Sequence, residues 1–315
     1  MTDYHLLPPL PNKIDVEPTI NCNFNCIMCQ RTYWSRHSPD MTIEQFRYLY
    51  SSFPELEWIK IQGIGEPLLN QDLFGMIQHA KRNGSFVMTY TNGSVLHLGD
   101  RAKKLLDSGI DVVRISMDGG TRETFQSIRK AEFDQVIENT ASLVQLRGNK
   151  EKPSIEFWTV GMTHNIRELP AIIDIAREAQ VDAVRVQMMM NTFDYKPEVG
   201  DRLTGLKLGN ADEIQQCLAY SIEYAQRSKV ELTLEKSKAR SMQRKCHWPF
   251  DSAFISVEGY VVPCCTIADP RVVAMGNLFE EPFESIWTGK RYQQFRQAIL
   301  EHRLPIPCKN CYVSS

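Results

Sequence analysis

Short hydrophobic runs recur along the first two thirds of the chain, and a segment with helical periodicity follows each of them. The runs predict strands, and the segments between them predict amphipathic helices. Strand–helix alternation of this kind is typical of a parallel sheet with right-handed crossover connections. Six such units could form a sheet curved into a partial barrel. The predicted strands cover residues 14–20, 57–62, 85–91, 111–117, 154–161 and 181–189.

The pattern changes twice in the last third of the chain. Residues 191–209 are interrupted by Gly, Pro and charged residues and predict a long loop. From Cys246 onward a β-rich run over residues 253–262 predicts a hairpin that turns at Glu258-Gly259. We therefore expect a large α/β domain at 1–235 and a small hairpin-and-helix module at 236–315. The predicted helices cover residues 43–53, 71–82, 97–108, 121–146, 167–179, 212–227 and 291–300, with a short strand at 230–234.

Composition, charge and the length of the apolar runs argue against several classes of protein. The 315 residues are 43% hydrophobic and 23% charged, which is ordinary for a soluble globular protein. A net charge of −2 without a long Lys/Arg run argues against a broad nucleic-acid-binding surface. No apolar run approaches the length that spans a bilayer, and three prolines stand near the N-terminus in place of an apolar signal core. We expect a cytosolic protein, whose nine cysteines serve as metal ligands or reactive thiols.

Three cysteines directly follow the first predicted strand. Cys22, Cys26 and Cys29 are spaced C-x3-C-x2-C, at the end of a strand where α/β proteins place their chemistry. Iron–sulfur clusters usually take four cysteine ligands, so three would leave one iron open to a group that is not protein. The alternatives are a zinc site completed by His37 and a buried structural cluster. The spacing resembles the radical S-adenosylmethionine (SAM) superfamily.

This resemblance implies a partial (β/α)6 barrel and a 4Fe–4S cluster whose open iron is chelated by the amino and carboxylate groups of SAM. It also implies that an electron donor such as flavodoxin or ferredoxin reduces the cluster. The motif Ile64-Gly65-Glu66-Pro67 stands where the family usually has Gly-Gly-Glu-Pro, with Gly63 just before it. Gly65 would allow a close backbone approach, and the Glu66 carboxylate or flanking carbonyls would accept from the SAM ammonium.

Other SAM contacts are expected at the ends of further strands. Ser116 and Asp118 resemble the family's contacts to the SAM carboxylate and ribose, and Asn92 is a weaker candidate. Met28 matches an apolar position near the adenine. Gln187 and Met188 could line the adenine pocket, although Met188 with its two neighbouring methionines equally suits plain core packing.

A second cysteine set closes the chain and resembles the twitch module, the shortened SPASM extension of radical SAM enzymes. The module binds one auxiliary 4Fe–4S cluster, and a zinc ribbon is the alternative. Two cysteines are left over. Cys217 suits a small buried hydrophobe. Cys265 could face the substrate as a hydrogen donor, or could be kept for packing or be the true ligand in place of its neighbour. The expected auxiliary ligands are Cys246, Cys264, Cys308 and Cys311.

Three functions remain open. The first is hydrogen abstraction from a small polar substrate of the sugar, aminocyclitol or aminoglycoside type, ending in dehydrogenation or epimerisation; the spare Cys265 favours epimerisation. The second is maturation of a ribosomally made peptide with a separate leader-binding partner, because barely a dozen residues precede the first predicted strand. The third is a non-catalytic iron–sulfur electron carrier, which would need neither Glu66 nor an open iron.

Overall fold

One mixed sheet runs through the structure, a computed structural model that describes residues 4–33, 36–188, 206, 208, 211–235 and 246–311. The strands are β1 (Lys13–Val16), β2 (Trp58–Ile61), β3 (Phe86–Thr91), β4 (Val112–Ser116), β5 (Ser154–Gly161), β6 (Ala183–Met188), β7 (Glu231–Glu235), β8 (Ser252–Ile255), β9 (Tyr260–Val262) and β10 (Gly276–Asn277). Their order is β10-β9-β8-β1-β2-β3-β4-β5-β6-β7. Strands β1 to β7 are parallel, and β9 and β10 are antiparallel to their neighbours. The predicted α/β fold class is confirmed.

Helices alternate with the parallel strands as the sequence predicts. They are α1 (Ile43–Ser51), α2 (Leu73–Arg82), α3 (Arg101–Asp107), α4 (Arg122–Arg129), α5 (Phe133–Arg147), α6 (Leu169–Glu178), α7 (Ala211–Ser228), α8 (Trp248–Asp251), α9 (Phe283–Trp287) and α10 (Lys290–Leu300). Short 3₁₀ turns cover Gln30–Tyr33, Pro67–Leu69, Ile166–Glu168 and Ile306–Cys311.

Two helix predictions need correction, and a local backbone feature explains each. The predicted helix over residues 121–146 is two helices, because Lys130 takes a left-handed conformation (φ 56°) that ends α4. The predicted helix over 97–108 begins only at Arg101, because Gly99 has a positive φ of 61° and forms a turn before it. The predicted loop over 191–209 lies almost wholly outside the described residues.

The C-terminal module continues the core sheet. Its strand β8 pairs in parallel with β1, with Lys13 opposite Ser252 and Val16 opposite Ile255. The hairpin β8–β9 turns at Gly259, which has the positive φ of 87° that the predicted turn requires. The N-terminal residues pack on this module as well, since Trp287 Nε1 donates to the Pro9 carbonyl oxygen at 2.9 Å. The predicted division at 235/236 falls next to the undescribed residues 236–245, and it stays a prediction.

The two faces of the parallel strands differ in character. Apolar residues such as Ile59, Ile61, Val113 and Ile115 are fully buried against the helices. The alternate positions point into the curve of the sheet and carry charges instead. We call these charged residues the lumen network, and they are Asp15, Lys60, Arg114, Glu156 and Arg185.

The lumen network is joined by ion pairs across neighbouring strands. Glu156 accepts from Arg114 at 2.8 Å and from Arg185 at 3.0 Å, and Lys60 lies 3.6 Å from Asp15. Arg114 also donates to the Tyr90 hydroxyl at 2.6 Å. The interior of the curved sheet is therefore polar, and its charges largely compensate one another.

Candidate active site

Residues 22–29 form a loop that internal hydrogen bonds hold in place after β1. Arg31 Nε donates to the Ile20 carbonyl at 2.9 Å, and Thr32 Oγ1 donates to the Cys26 carbonyl at 2.8 Å. Tyr33 donates its hydroxyl to the Ile27 carbonyl at 2.7 Å. The 3₁₀ turn at Gln30–Tyr33 thus fixes the loop from its C-terminal side. This leaves Cys22, Cys26 and Cys29 on the wall of a single cavity.

The cavity has a volume of about 360 Å³ and opens at the carboxyl ends of the parallel strands. Polar groups from several strand ends converge on it opposite the three thiols. Most of the predicted cofactor residues line it, namely Met28, Gly65, Glu66, Asn92, Ser116 and Gln187.

Gly65 lies where the end of β2 crosses the backbone before the cysteines. A Cβ at this position would stand 2.4 Å from the Thr19 carbonyl oxygen and 2.7 Å from that of Asn21. The close backbone approach predicted for Gly65 is therefore made to this chain's own loop. Glu66 strengthens the same junction by donating its N–H to the Asn21 carbonyl at 2.8 Å.

The Glu66 carboxylate is buried and accepts three hydrogen bonds from the protein. The donors are the Thr91 hydroxyl at 2.7 Å, the Asn92 N–H at 2.6 Å and the Leu68 N–H at 3.1 Å. Burial raises the pKa of Glu66, while the same donors lower it in part. Glu66 thus ties the end of β2 to the end of β3, and its contact to the SAM ammonium stays a prediction.

Asp118 and Met188 stand apart from the other predicted cofactor residues, and their contacts to SAM stay predictions. Neither belongs to the described residues that line the cavity. Asp118 is fully buried, accepts from the Val160 N–H at 2.7 Å and pairs with Arg129 at 2.5 Å, so it stands behind the cavity wall. Met188 packs beside Gly161 and the main hydrophobic core, which is the packing alternative left open for it.

Arg129 is a cavity residue that the sequence did not reveal. It lines the cavity, and its Nη1 lies 3.6 Å from Cys26 Sγ while its Nη2 is held by Asp118. No sequence motif surrounds Arg129, which is the last residue of α4, the helix that follows β4. Its guanidinium places a fixed positive charge beside the thiols.

The thiols themselves fit a cluster-binding role. Burial raises the pKa of Cys22 and raises that of Cys29 to about 12. Each thiolate would also raise the pKa of the next, so these groups need nearby positive charge to ionise. A bound metal supplies that charge and deprotonates its thiol ligands. Cys22, Cys26 and Cys29 would therefore hold a cluster, and Arg129 would supplement its charge.

The second cysteine set lies in a separate apolar pocket of the C-terminal module. Cys246, Cys264 and Cys308 line this pocket together with Phe295 and Ile299. The side chain of Cys311 lies outside the described part of the chain. Among the residues that are described, no three His, Cys, Asp or Glu side chains are arranged to hold one metal ion. Three of the four predicted auxiliary ligands therefore line one pocket, but they do not converge on a single metal-ion position.

The adjacent cysteines 264 and 265 face different cavities. Cys264 faces the module pocket, whereas Cys265 lines the large cavity with Cys22, Cys26 and Cys29. The hydrogen bond of Cys265 with Cys264, followed by burial, raises the pKa of the Cys265 thiol. Gln30 links the two loops by donating to the Thr266 carbonyl at 2.7 Å. Cys217, by contrast, is half-buried on α7.

Four of the other cavity residues that were not predicted from the sequence belong to the inner face of the sheet. They occupy inward-facing positions on β2, β3 and β5 or lie just beyond β2. The sequence contains a signal for Lys60, because this lysine stands between two isoleucines in a buried strand. A charge at an alternate position of such a strand marks a polar interior. These residues are Lys60, Gln62, Tyr90 and Trp158.

Comparison with known proteins agrees with this geometry. Residues 16–176 match the radical SAM superfamily, about half of the 315 residues, and residues 246–312 match the SPASM iron–sulfur cluster-binding domain. The chain belongs to the radical SAM superfamily. It therefore uses SAM and a 4Fe–4S cluster, and its SPASM part binds auxiliary iron–sulfur.

Individual relatives are distant. The tungsten-containing aldehyde ferredoxin oxidoreductase cofactor-modifying protein of Pyrococcus furiosus is 27% identical, over 94% of this chain and 86% of its own. Streptococcus suis SuiB bound to S-adenosylmethionine has a TM-score of 0.73 at 14% identity, covering 91% of this chain and 68% of SuiB. BtrN in complex with AdoMet and 2-DOIA has a TM-score of 0.56 at 18% identity, covering 96% and 93%. The two structures establish the shared fold. No described helix of this radical SAM enzyme is long and apolar enough to cross a membrane.

Proposed function

We propose that this radical SAM enzyme epimerises a small polar substrate of the sugar, aminocyclitol or aminoglycoside type, with Cys265 as the hydrogen donor. The observation that carries the proposal is the division of the adjacent cysteines. Cys265 shares the large cavity with Cys22, Cys26 and Cys29, whereas Cys264 faces the pocket of Cys246 and Cys308. A thiol placed at the substrate cavity and apart from the auxiliary ligands suits hydrogen transfer.

In the proposed reaction, the bound cofactors, Cys265 and an external electron donor have separate roles. When bound, SAM and its cluster supply a radical able to remove a hydrogen atom from an unactivated substrate carbon. The Cys265 S–H then gives its hydrogen atom to the opposite face of that carbon, which completes the inversion. The sulfur, left one electron short, returns to a thiol by taking up one electron and one proton. A one-electron donor of the flavodoxin or ferredoxin type supplies the electron.

The polar interior supports a small polar substrate. The lumen network places charged groups on the inner face of the sheet, where an apolar substrate would displace water from their remaining hydrogen-bonding atoms and offer no partner in its place. Tyr90 and Trp158 stand edge to face at 5.1 Å and offer the cavity one aromatic surface. Together these groups suit a ring that carries hydroxyl or amino substituents.

The test follows hydrogen from solvent. Anaerobically reconstituted, dithionite-reduced protein is incubated with SAM in D2O against monosaccharides, aminocyclitols and aminoglycosides, and the products are analysed by mass spectrometry and NMR. We expect a product of inverted configuration that carries one deuterium at the inverted carbon. Cys265→Ala should still release 5′-deoxyadenosine but form no epimer, while the control Cys217→Ala should behave as wild type.

Three outcomes contradict the proposal. A product two hydrogens lighter than the substrate identifies a dehydrogenase, in which no hydrogen is returned. Epimer formation that survives in Cys265→Ala assigns the hydrogen donor to another group. A complete lack of 5′-deoxyadenosine with every substrate class, short peptides included, would show that the protein does not cleave SAM and would contradict any catalytic function.

A further inference from the structure

Lys60 and Asp15 form an ion pair on the inner face of the sheet, next to Cys265. Lys60 Nζ lies 3.6 Å from Asp15 Oδ2, and the side chains are 27% and 5% exposed. This distance is longer than a hydrogen bond. Within the described residues, the structure gives the Lys60 ammonium no hydrogen-bond acceptor. Lys60 lines the cavity, so its N–H groups are available to a bound molecule.

Gln62 lies two residues further along the chain, just beyond β2, and faces the same cavity. Its Nε2 donates to Asp15 Oδ2 at 3.3 Å, which orients the amide. The amide oxygen is then left as an acceptor. Asp15 therefore holds both neighbours from the adjacent strand. The result is one donor, Lys60, and one acceptor, Gln62, in the cavity that Cys265 also lines.

Charge balance decides which substrate group this arrangement fits. Asp15 already compensates the positive charge of Lys60, and Glu156 together with Glu231 compensates those of Arg114 and Arg185. A carboxylate or phosphate placed here would meet Asp15 without an unpaired cation to offset the repulsion. An uncharged hydroxyl both donates and accepts, so neighbouring hydroxyl groups satisfy Lys60 and Gln62 without adding charge.

We propose that Lys60 and Gln62 anchor neighbouring hydroxyl groups of an uncharged polyol face of the substrate, and so set which carbon lies against Cys265. Asp15 acts as the positioning residue that aligns the amide and the ammonium. This inference rests on the proposed function, because it places a small polar substrate in the cavity. It adds a substrate chemistry and two specificity-determining residues.

The test measures binding without turnover. The reconstituted holoenzyme with SAM is dialysed to equilibrium against radiolabelled myo-inositol, a neutral polyol, and against gluconate, which carries a carboxylate. We expect myo-inositol to bind at least about tenfold more tightly than gluconate. Lys60→Met and Gln62→Leu should each weaken myo-inositol binding about tenfold or more, the range expected for hydrogen bonds from a buried site.

Matched variants separate a lost anchor from a damaged fold. Lys60→Arg keeps a cationic donor and should restore most of the binding that Lys60→Met loses. Lys104→Met removes a lysine of a surface pair with Asp100 and should change nothing. All variants must retain wild-type iron content and SAM binding, so that a weaker polyol affinity reports on the anchor alone.

Several results overturn the inference. Tighter binding of gluconate than of myo-inositol would show that the site selects an anion. Absence of myo-inositol binding, or wild-type affinity in Lys60→Met, would show that these residues do not anchor hydroxyls. The proposed epimerisation and the proposed anchor can fail independently of each other. A dehydrogenase that holds its substrate through Lys60 and Gln62 would satisfy the dialysis test and fail the deuterium test.

Discussion

At the residue scale, Gly65 shows how a single position maintains the cofactor site. The end of β2 passes so close to the backbone before Cys22 that a Cβ would meet the carbonyl oxygens of Thr19 and Asn21. These neighbours are backbone atoms and cannot rotate away as a side chain can. Any larger residue at 65 must push β2 and the residue 22–29 loop apart.

We expect Gly65→Ala to destabilise the protein by about 1–3 kcal/mol, the usual cost of overpacking, and to lower iron content. The control is Gly75→Ala on α2, where a Cβ would stand 3.5 Å from Ile43 Cδ1, an ordinary contact. Alanine should be neutral there or stabilise the helix by about 0.5–1 kcal/mol. Urea denaturation and iron analysis check both. A Gly65→Ala protein as stable and as iron-rich as wild type would contradict this account.

At the element scale, α10 fastens the C-terminal module to the start of the chain. Arg296 on this helix is fully buried and donates to the carbonyl oxygens of Pro249 at 2.7 Å, Trp287 at 2.7 Å and Leu6 at 2.9 Å. Its guanidinium also lies 4.2 Å from the centroid of the Trp287 ring. One side chain thereby joins α8, α9 and the N-terminal segment.

Burial lowers the pKa of Arg296 to about 10, so the guanidinium stays charged at neutral pH. Arg296→Met should leave three buried carbonyls without their donor and cost about 2–4 kcal/mol of unfolding free energy. Arg291→Met, an exposed change at the other end of the same helix, should cost little. Denaturation curves of the two variants compare them directly. Equal losses would show that the buried donor contributes nothing specific.

A second group of contacts at this scale connects the C-terminal module to the region around the residue 22–29 loop. Arg36 pairs with Glu17, the residue after β1, at 2.5 Å and with Glu258 in the β8–β9 turn. Glu17 is fully buried and also accepts from the Val257 N–H at 3.2 Å. This buried network positions the turn against the core, and with it the loop that carries Cys264 and Cys265.

At the scale of the whole molecule, two cysteine sets open onto different pockets and meet at residues 264 and 265. The three thiols of residues 22–29 share their cavity with Cys265, and Cys264 turns to the module pocket. The β8–β9 hairpin brings the loop that carries both cysteines beside β1, because β8 extends the core sheet there. The substrate cavity and the auxiliary pocket are thus separated by a single peptide unit.

Iron stoichiometry tests this division. We expect about eight iron atoms per chain in the reconstituted protein, corresponding to two 4Fe–4S clusters. Cys264→Ala should fall to about four, whereas Cys265→Ala should keep about eight because it removes no ligand. Iron and zinc analysis with EPR spectroscopy provides the measurement. A loss of iron in Cys265→Ala alone would exchange the roles of the two cysteines, and bound zinc would replace the auxiliary cluster.

The sequence by itself determined the order of elements and the two cysteine sets. Hydrophobic periodicity located every described strand of the parallel sheet to within a few residues, because each strand is buried on its helix side and must be apolar there. The spacing of Cys22, Cys26 and Cys29 was enough to predict a site with an open iron. These features depend on residues that are close together in the sequence, so the pattern of the sequence is enough to predict them.

Only the tertiary structure decided which side chains share a cavity. Arg129 reaches Cys26 across 103 residues of sequence, and Asp118 turns out to hold Arg129 instead of facing the cavity. The separation of Cys264 from Cys265 depends on the direction in which a loop leaves β9. Neither fact has a local signature, because long-range packing sets the positions of both. The sequence predicted the chemistry at the two cysteine sets, and the fold of the sheet determined which residues surround it.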